Sequence, residues 1–281
     1  MVESCVIQKT RERWIVLPHS RDQHAWRYEI SAELDKIASS DRSAYRFTEN
    51  VAEALDSGAD HDSIAAILSL VPPGDPAFLA DPDTRHAEVA QRTRLASDLI
   101  RLRPDRVFGP TDFHAGAVEL FSGLTVVAPK TPAATPYERA LALALESFGP
   151  ARHSAIWRRD LFSYPTPPLA NEPPHTFDLT GRPKFLVFGP YLTMAPGIWT
   201  ARFELTFDAP STRHRYRADW GGVTEYQSIE FRPERPGRYQ IELTHEWSEA
   251  APCELRLLSM EGVFEGRVTF NGAEVGLATG R

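Results

Sequence analysis

The sequence predicts an α+β protein of two domains, in which a mainly helical or small α/β domain precedes an all-β antiparallel sandwich of jelly-roll-like type. The length of 281 residues exceeds the usual size of a single domain. The spacing of apolar residues changes from a helical period to a period of two after residue 178. Between these regions, residues 163–177 contain five prolines, which favour an extended linker. We therefore predict domains at 1–162 and 178–281, joined by 163–177.

The first domain is predicted to alternate helices with short buried strands. Apolar residues at helical spacing, or a following helix stop, predict helices at 43–55, 62–70, 83–102 and 137–148. A further helical run is predicted at 115–121, with Asp112 as its N-cap residue. Short apolar runs predict strands at 14–17, 106–108 and 124–128. This alternation indicates a small α/β or mostly helical domain.

The second domain shows the alternation of half-buried antiparallel strands. In residues 198–207, Trp199 and Phe203 share one face while Arg202 and Glu204 share the other. The same pattern recurs at 239–244, 253–257 and 264–270. Glycine-containing pairs between these runs predict turns at 196–197, 236–237 and 271–272. Seven or eight short strands at this spacing predict a sandwich or a barrel.

Composition narrows the classes of partner. The net charge of −7 is spread along the chain, which argues against nucleic acid, because binding phosphates requires a concentrated positive surface. No apolar run is long enough to span a bilayer, so no membrane insertion is expected. The first residues carry charges throughout and lack the apolar stretch of a signal peptide, so we expect synthesis in the cytoplasm and leave a cell-surface or particle-associated role open. Cys5 and Cys253 are too few for a disulfide framework.

The predicted sandwich carries a specific sequence pattern. Phe188-Gly-Pro-Tyr191 is followed by Pro196-Gly-Ile-Trp-Thr-Ala-Arg-Phe-Glu-Leu205, and later by Glu254-Leu-Arg-Leu257 and the stretch 264–272. Over residues 185–276 the chain resembles a β-sandwich module of alphaproteobacterial surface-polysaccharide proteins, which often accompanies glycosyltransferase domains. The resemblance implies a sandwich fold and a carbohydrate context, and it leaves the ligand open. In its architecture the chain also resembles the head-spike proteins of phage-like gene transfer agents.

Binding a sugar requires an aromatic ring as a platform and polar groups for the hydroxyls. Trp199 and Trp247 follow the inward phase of their strands, so we expect them in the core or at its rim. Trp220 lies in Arg217-Ala-Asp-Trp-Gly-Gly222, where two glycines predict a turn. We expect Trp220 either to contact the ligand beside Arg217 and Asp219 or to close the loop.

Two tyrosines and a basic stretch complete the predicted site. Tyr226 has the opposite phase to Phe231 and is predicted to point outward. Tyr191 lies in a Gly-Pro loop, where it either contacts the ligand or ties the loop to the sandwich. Residues 213–217 are strongly basic, which is typical of a solvated strand but also suits the carboxylates of an acidic polysaccharide. The predicted carbohydrate-binding residues are Trp220, Tyr226, Asp219, Arg217, Tyr191 and Arg215.

Signals for catalysis are few. The sequence contains no Gly-x-Ser-x-Gly, P-loop, dinucleotide-binding or zinc-protease motif. His19, Asp22 and His24 could bind a metal, but neighbouring arginines favour a polar loop. Asp112 and His114 could pair as carboxylate and imidazole, although Asp112 also suits a helix N-cap. We therefore predict no catalytic residue, no metal and no cofactor.

The predicted function is non-enzymatic binding of a bacterial capsule or surface polysaccharide, as an adhesin or a particle spike. The first domain is expected to bind a protein partner or further copies of the chain. One alternative is an enzyme of polysaccharide biosynthesis with an accessory sandwich, because residues 119–129 resemble the helix–Gly–strand step of nucleotide-sugar glycosyltransferases. A second alternative is a structural subunit of a larger assembly.

Overall fold

The computed structural model describes residues 12–18, 20, 22–37, 44–69, 94–113, 116–130, 154–165 and 176–278. The chain divides into two compact units. Unit 1 comprises Met1–Asp75 and Leu102–Ala133, and unit 2 comprises Pro76–Arg101 and Ala134–Arg281. Among the described residues, no helix has the length and apolar character needed to cross a membrane.

Unit 1 contains a parallel sheet of four strands in the order β2-β1-β3-β4. The strands are β1 (Arg13–Val16), β2 (Tyr45–Thr48), β3 (Ile64–Ile67) and β4 (Val107–Phe108). Helix α1 (Gln23–Leu34) lies between β1 and β2 in the chain, and helix α2 (Val51–Asp56) lies between β2 and β3. An antiparallel hairpin follows, made of β5 (Val118–Phe121) and β6 (Leu124–Val126). A one-turn helix, Pro110–Phe113, precedes this hairpin.

The core of unit 1 forms where α1 and the hairpin cover the parallel sheet. On α1, Trp26, Ile30 and Leu34 recur at helical spacing and are buried. They join Ile15 and Ile67 of the sheet, and residues of the hairpin, in one apolar cluster. The sequence patterns did not predict α1, because its exposed face is mixed and only a narrow stripe is apolar.

Several predicted elements of the first domain are wrong. The helix predicted at 43–55 is β2 followed by α2, and the helix predicted at 62–70 contains a 3-10 turn and β3. The run Ile64–Ile67 is buried along its whole length between parallel neighbours, where a short apolar strand fits as well as a helix. Residues 118–121 of the helical run predicted at 115–121 form strand β5 instead. The strands predicted at 14–17, 106–108 and 124–128 are confirmed as β1, β4 and β6.

Two of the predicted helices lie wholly or mostly outside the described residues. The helix at 137–148 is not described at all. Of the helix at 83–102, residues 94–97 are helical and continue into the 3-10 helix Asp98–Arg101.

Unit 2 contains two antiparallel sheets. Sheet I has the order β13-β10-β15-β7, with β8 also paired to β15, and sheet II has the order β12-β11-β14-β9. The strands of sheet I are β7 (Ser154–Trp157), β8 (Thr176–Asp178), β10 (Gly197–Phe207), β13 (Gly237–Trp247) and β15 (Arg267–Leu277). Those of sheet II are β9 (Lys184–Met194), β11 (Tyr216–Gly222), β12 (Tyr226–Phe231) and β14 (Ala251–Ser259). Along β10 and β13 the more buried residues alternate with the more exposed ones, as the period of two predicted.

The inner faces of the two sheets form one aromatic core. Trp157 and Trp247 of sheet I contact Trp220 of sheet II, with ring centroids 5.9 and 5.2 Å apart. At the other end, Phe207 of sheet I contacts Tyr216 of sheet II, with centroids 4.9 Å apart. The predicted all-β antiparallel sandwich is therefore confirmed in this general form.

Details of the predicted second domain need correction. Residues 154–157, which were assigned to the first domain, form β7 and pair with β15, so the boundary predicted at residue 162 lies inside the sandwich. Ser163, assigned to the linker, pairs with Phe188 of β9. Residues 166–175 of the proline-rich segment lie outside the described residues.

The pair Asn271-Gly272 is not a turn but part of β15. Gly272 has a φ of +102° at a shift in register between β15 and β10. A Cβ atom there would lie 2.7 Å from the carbonyl oxygen of Trp157, so the position requires glycine. Phe264, predicted to continue the inward phase of this strand, lies before it and is 97% exposed.

Candidate functional site

The candidate site is the outer face of sheet II, the face directed away from sheet I. Strand phase places four residues of the central strands on it, Arg217 and Asp219 of β11 and Glu254 and Arg256 of β14. Asp219 pairs with Arg256 and with Ser228 of β12, and Arg256 pairs with Phe188 of β9. Residues directly opposite in a sheet share a face, so charged groups from β11 and β14 lie between aromatic and polar residues of β12 and β9.

Asp219 is the centre of this face. Its carboxylate is fully buried, accepts three hydrogen bonds and makes one further ion-pair contact. Arg217 Nε and Ser228 Oγ each donate to Oδ1 at 2.7 Å, and Arg256 Nε donates to Oδ2 at 3.0 Å. Nη2 of Arg256 lies 2.8 Å from Oδ2 as an ion pair. These contacts occupy the lone pairs of the carboxylate. Asp219 therefore orients two guanidinium groups side by side.

Glu254 is a second buried carboxylate on the same face. It accepts a hydrogen bond from Tyr191 Oη at 2.7 Å on Oε1, and one from Tyr226 Oη on Oε2. Burial, reinforced by the bond to Glu254, raises the pKa of Tyr226 to about 12, and the same causes raise the pKa of Tyr191 well above its usual value. Both phenols therefore remain protonated at neutral pH and donate to the carboxylate.

Aromatic rings contact two arginines of this face, Arg256 and Arg94. The Cζ atom of Arg256 lies 3.8 Å from the ring centroid of Tyr226 and 5.7 Å from that of Phe185. Phe185 is 41% exposed, so much of its ring faces solvent. Arg94, from the segment before β7, lies over the ring of Tyr191 at 5.3 Å. The face thus combines an exposed aromatic ring with arginine N–H groups that the buried carboxylate of Asp219 holds in a fixed orientation.

Tyr191 occupies its place through an unusual backbone conformation. Its φ of +61° lies in the left-handed region, which costs a non-glycine residue about 1 kcal/mol. The bond from its hydroxyl to Glu254 and the edge contact of its ring with Phe188, at a centroid distance of 6.5 Å, hold the side chain on this face. Tyr191 therefore links β9 to β14, and its hydroxyl oxygen still has the capacity to accept a bond.

The structure places four of the six predicted residues together. Arg217 and Asp219 are in direct contact. Tyr226 and Tyr191 meet on Glu254. The outward phase expected for Tyr226 agrees with its position opposite Gly221 on β11.

The prediction that Trp220 lies in a turn, where it contacts the ligand or closes the loop, is wrong in its placement of the residue. It lies within β11, is fully buried, and donates from Nε1 to the carbonyl oxygen of Trp199 at 3.1 Å. The two glycines after it, which suggested a turn, continue the strand. The expectation that Trp199 and Trp247 are core residues is confirmed, with exposed fractions of 4% each.

Arg215 is separated from this cluster by its own ion pair. Its Nε lies 2.6 Å from Oε1 of Glu261, and Arg232 and His214 also lie within 4 Å of that carboxylate. Arg213 lies 3.6 Å from Glu265. The basic stretch predicted to attract acidic sugars is therefore largely neutralised by carboxylates of the same unit.

Sequence reasoning missed Glu254, Arg256 and Phe185. Cys253, Leu255 and Leu257 point inward, so the alternation already indicated that Glu254 and Arg256 point outward. It could not indicate that β14 lies next to β11, which brings Arg256 to Asp219. Phe185 directly precedes the buried Leu186, so the alternation could have marked it as an aromatic residue that points outward.

Two of the residues of unit 1 considered for a metal or for catalysis, Asp22 and Asp112, have structural partners. The carboxylate of Asp22 accepts from Ser20 Oγ at 2.7 Å, from Ser69 Oγ at 2.6 Å and from Trp26 Nε1 at 3.1 Å. Asp112 caps no following helix and instead accepts from the backbone N–H of Gly109 at 2.6 Å. His19 and His114 lie outside the described residues. Among the residues that the structure describes, no cluster of three or more His, Cys, Asp or Glu is placed to hold a metal ion.

Comparisons with known proteins give similarities in structure only. No protein-family description matches the chain, and no curated protein matches it in sequence. The similar solved structures include TmCBM61 in complex with β-1,4-galactotriose, which is 9% identical with a TM-score of 0.30 over 37% of this chain and 69% of that one. The C-terminal CBM6 of the laminarinase LamC from Zobellia galactanivorans is 12% identical, with a TM-score of 0.30 over 44% of this chain and 98% of that one.

A third similar structure is the CBM36-1 domain of a multidomain xylanase from the hindgut metagenome of Trinervitermes trinervoides. It is 13% identical, with a TM-score of 0.28 over 45% of this chain and 99% of that one. At these TM-scores, the function has to be inferred from the residues of the outer face of sheet II.

Proposed function

We propose that this protein binds a carbohydrate on the outer face of sheet II, without changing it chemically. The observation that carries the proposal is the pair of arginines held by Asp219 beside the exposed ring of Phe185. Sugars have apolar C–H faces and rows of hydroxyls. An exposed aromatic ring can pack against the C–H face, and oriented arginine N–H groups can donate to the hydroxyls. Within the described residues, Nη1 of Arg217 and Nη1 of Arg256 have no hydrogen-bond partner in the protein.

The roles of the residues follow from their exposure. Phe185 supplies the platform, and Arg217 and Arg256 donate to hydroxyls. The hydroxyl oxygens of Tyr191 and Tyr226, whose protons point to Glu254, accept from the sugar. Asp219 and Glu254 are buried and act as positioning residues that hold the contacting groups in place. Trp220 contributes to the core and is no longer a candidate.

A glycan array with two variants of this face tests the proposal. Phe185→Ala removes the platform, and Arg256→Lys keeps the charge but loses the fork that Asp219 orients. We expect each to weaken the binding of the retained glycans by about 5- to 10-fold, which corresponds to the energy of one aromatic contact or one hydrogen bond to a charged group.

Ile198→Ala is the matched control. Ile198 lies on the outer face of sheet I and is 46% exposed, close to the 41% of Phe185. This variant should bind as the wild type does. If the wild type retains no glycan on a panel that includes bacterial capsular polysaccharides, or if both variants of sheet II bind unchanged, the proposal fails.

We also propose that the ligand is a bacterial capsule or surface polysaccharide and that the protein acts as an adhesin or particle spike. The sequence resemblance over residues 185–276 supports this choice. Single sugar sites bind weakly and gain strength when several are joined, so association through unit 1, with a partner or with further copies, would raise the avidity. Light scattering after size exclusion would show the oligomer. A strictly monomeric chain would contradict this second proposal if it bound immobilised capsule no more tightly than a short soluble fragment of the capsule.

A further inference from the structure

A cavity of about 700 Å³ opens in unit 1 at the amino ends of its parallel strands. The first residues of β1 and β2, the segments before β3 and β4, and the turn of the β5–β6 hairpin surround it. The residues that matter for its chemistry are Arg13, Tyr45, Asp62, Arg106 and Phe121. Its volume lies in the range of cavities that bind small molecules.

Two guanidinium groups line this cavity in fixed orientations. Arg13 Nη1 donates to the hydroxyl of Tyr45 at 2.5 Å, and its Cζ lies 5.5 Å from the ring centroids of both Tyr45 and Phe121. Arg106 donates from Nε to the carbonyl oxygen of Ile64 at 2.8 Å and from Nη2 to that of Leu120 at 3.0 Å. Its Cζ lies 5.0 Å from the ring centroid of Phe121, so this ring is shared by both cations.

Among the residues that the structure describes, the groups in direct contact with these two cations are neutral. Within the described residues, neither guanidinium has a carboxylate oxygen within 4.0 Å. The one acidic side chain that lines the cavity, Asp62, instead pairs with Arg103 at 3.1 Å. Both Arg13 and Arg106 are partly buried. Burial lowers the pKa of Arg106 and outweighs the charges of Asp105 and Asp62, which act on it only from beyond 4.0 Å. Two partly desolvated positive charges without a carboxylate in direct contact are costly, and an anion in the cavity would reduce that cost.

We propose that this cavity binds a small organic oxyanion, a phosphate monoester or a carboxylate of about the size of a sugar phosphate. The oxyanion lies between Arg13 and Arg106. It accepts hydrogen bonds from those guanidinium N–H groups that are not already bonded to the Tyr45 hydroxyl or to the backbone carbonyls. Arginine is suited to this task because its planar donors match both carboxylate and phosphate oxygens. The cavity belongs to unit 1 alone, so the inference does not depend on the carbohydrate site of sheet II.

Isothermal titration of the full chain at low ionic strength tests the proposal with four probes: inorganic phosphate, glucose 1-phosphate, glucuronate and glucose. We expect glucose 1-phosphate or glucuronate to bind at least ~10-fold more tightly than glucose, and the order of these two decides between phosphate and carboxylate. Raising the salt concentration should weaken the binding, because the attraction is electrostatic. Equal binding of glucose, or no binding of any of the anions at millimolar concentration, would overturn the proposal.

Variants then locate the site. Arg13→Gln should weaken anion binding at least ~10-fold, while Arg13→Lys should keep part of it. The control is Arg46→Gln, because Arg46 belongs to the same unit, does not line the cavity, and pairs with Glu12 at 3.2 Å. If Arg13→Gln is poorly folded, Arg13→Lys and the salt dependence carry the test. A folded Arg13→Gln variant that binds the anions as the wild type does would place them elsewhere and refute the site.

Discussion

At the scale of single residues, the outer face of sheet II depends on two carboxylates that do not reach solvent. Asp219 and Glu254 are exposed by 0% and 7%, yet each is surrounded by donors from other strands. A buried carboxylate is tolerated only when its charge is compensated by hydrogen bonds and cations. Here that requirement has a consequence for function, since the compensating side chains are the arginines and tyrosines that the proposed ligand would contact.

The tyrosines on Glu254 lead to a prediction about pH. The pKa of Tyr226 is raised from 10.0 to about 12 in the folded chain. Below pH 10 the phenol is protonated in both the folded and the unfolded chain, so the contact contributes fully. Between pH 10 and 12 the unfolded chain loses this proton first, and stability falls as the pH rises.

Urea unfolding of the wild type and of Tyr226→Phe, at intervals from pH 8 to 11.5, measures this effect. Below pH 10 we expect the variant to be less stable by about 1–2 kcal/mol, because it loses a hydrogen bond to a charged group. Above pH 10 the difference should shrink. The buried thiol of Cys253, whose pKa is raised by burial, destabilises both proteins equally at high pH and cancels in the difference. A difference that stays constant over the whole range would contradict the prediction.

At the scale of elements, the position of Tyr226 is decided by the connection between β11 and β12. Gly221 lies opposite Tyr226, and the backbone of Glu225 occupies the space where a side chain of residue 221 would be. A Cβ atom on Gly221 would lie 2.2 Å from the carbonyl oxygen of Glu225 and 2.9 Å from Cα of Tyr226. Because Gly221 has no side chain, the connection between β11 and β12 can pack closely against β11. This close packing brings the phenol of Tyr226 to Glu254.

Gly221→Ala should therefore push the connection outward. We expect a loss of stability of about 1–3 kcal/mol, which is typical of overpacking, and a weaker hold of Tyr226 on Glu254. Gly222→Ala is the control in the next position, because a Cβ there would meet only atoms at 4.0 Å. Urea denaturation of both variants compares them directly. Equal stability of the two would show that the turn adapts without cost.

At the scale of the whole molecule, the sandwich includes chain that precedes the proline-rich segment. Strand β7 pairs with β15, and its last residue, Trp157, is fully buried against Trp220. Phe162 is also fully buried and contacts Phe270, with ring centroids 4.9 Å apart. A sandwich that begins at residue 178 would lack both side chains, and the edge of β15 opposite β10 would be unpaired at residues 273–276.

Two fragments test this organisation. Both 154–281 and 178–281 lack the segment before β7, so their comparison isolates the contribution of residues 154–177. The loss of a buried tryptophan alone costs about 3–5 kcal/mol, so we expect the shorter fragment to melt at least ~10 °C lower or to aggregate through its open edge. Thermal unfolding followed by circular dichroism measures the difference. Identical melting temperatures would mean that β7 adds nothing to the sandwich.

Much of the sandwich could be predicted from the sequence, and less of unit 1. The alternation in β10 and β13 is sustained over eleven residues each, so phase and face were unambiguous. The strands of unit 1 have two to four residues, which is too short for any period to be recognised. Ile64–Ile67 is apolar throughout, and its pattern fits a helix and a buried parallel strand equally.

By itself, the sequence determined which side chains of the sandwich point inward and which point outward, because side chains alternate strictly along an extended strand. The exceptions were Phe264, which precedes β15 and is exposed, and Trp220, whose flanking glycines suggested a turn and whose true phase matches Tyr216 and Ala218. Only the tertiary structure decided which outward residues meet. Asp219 and Arg256 are 37 positions apart, and Tyr191 and Glu254 are 63 apart. Such contacts depend on the order of β12, β11, β14 and β9 in the sheet, and that order follows from packing the whole core, which no local pattern encodes.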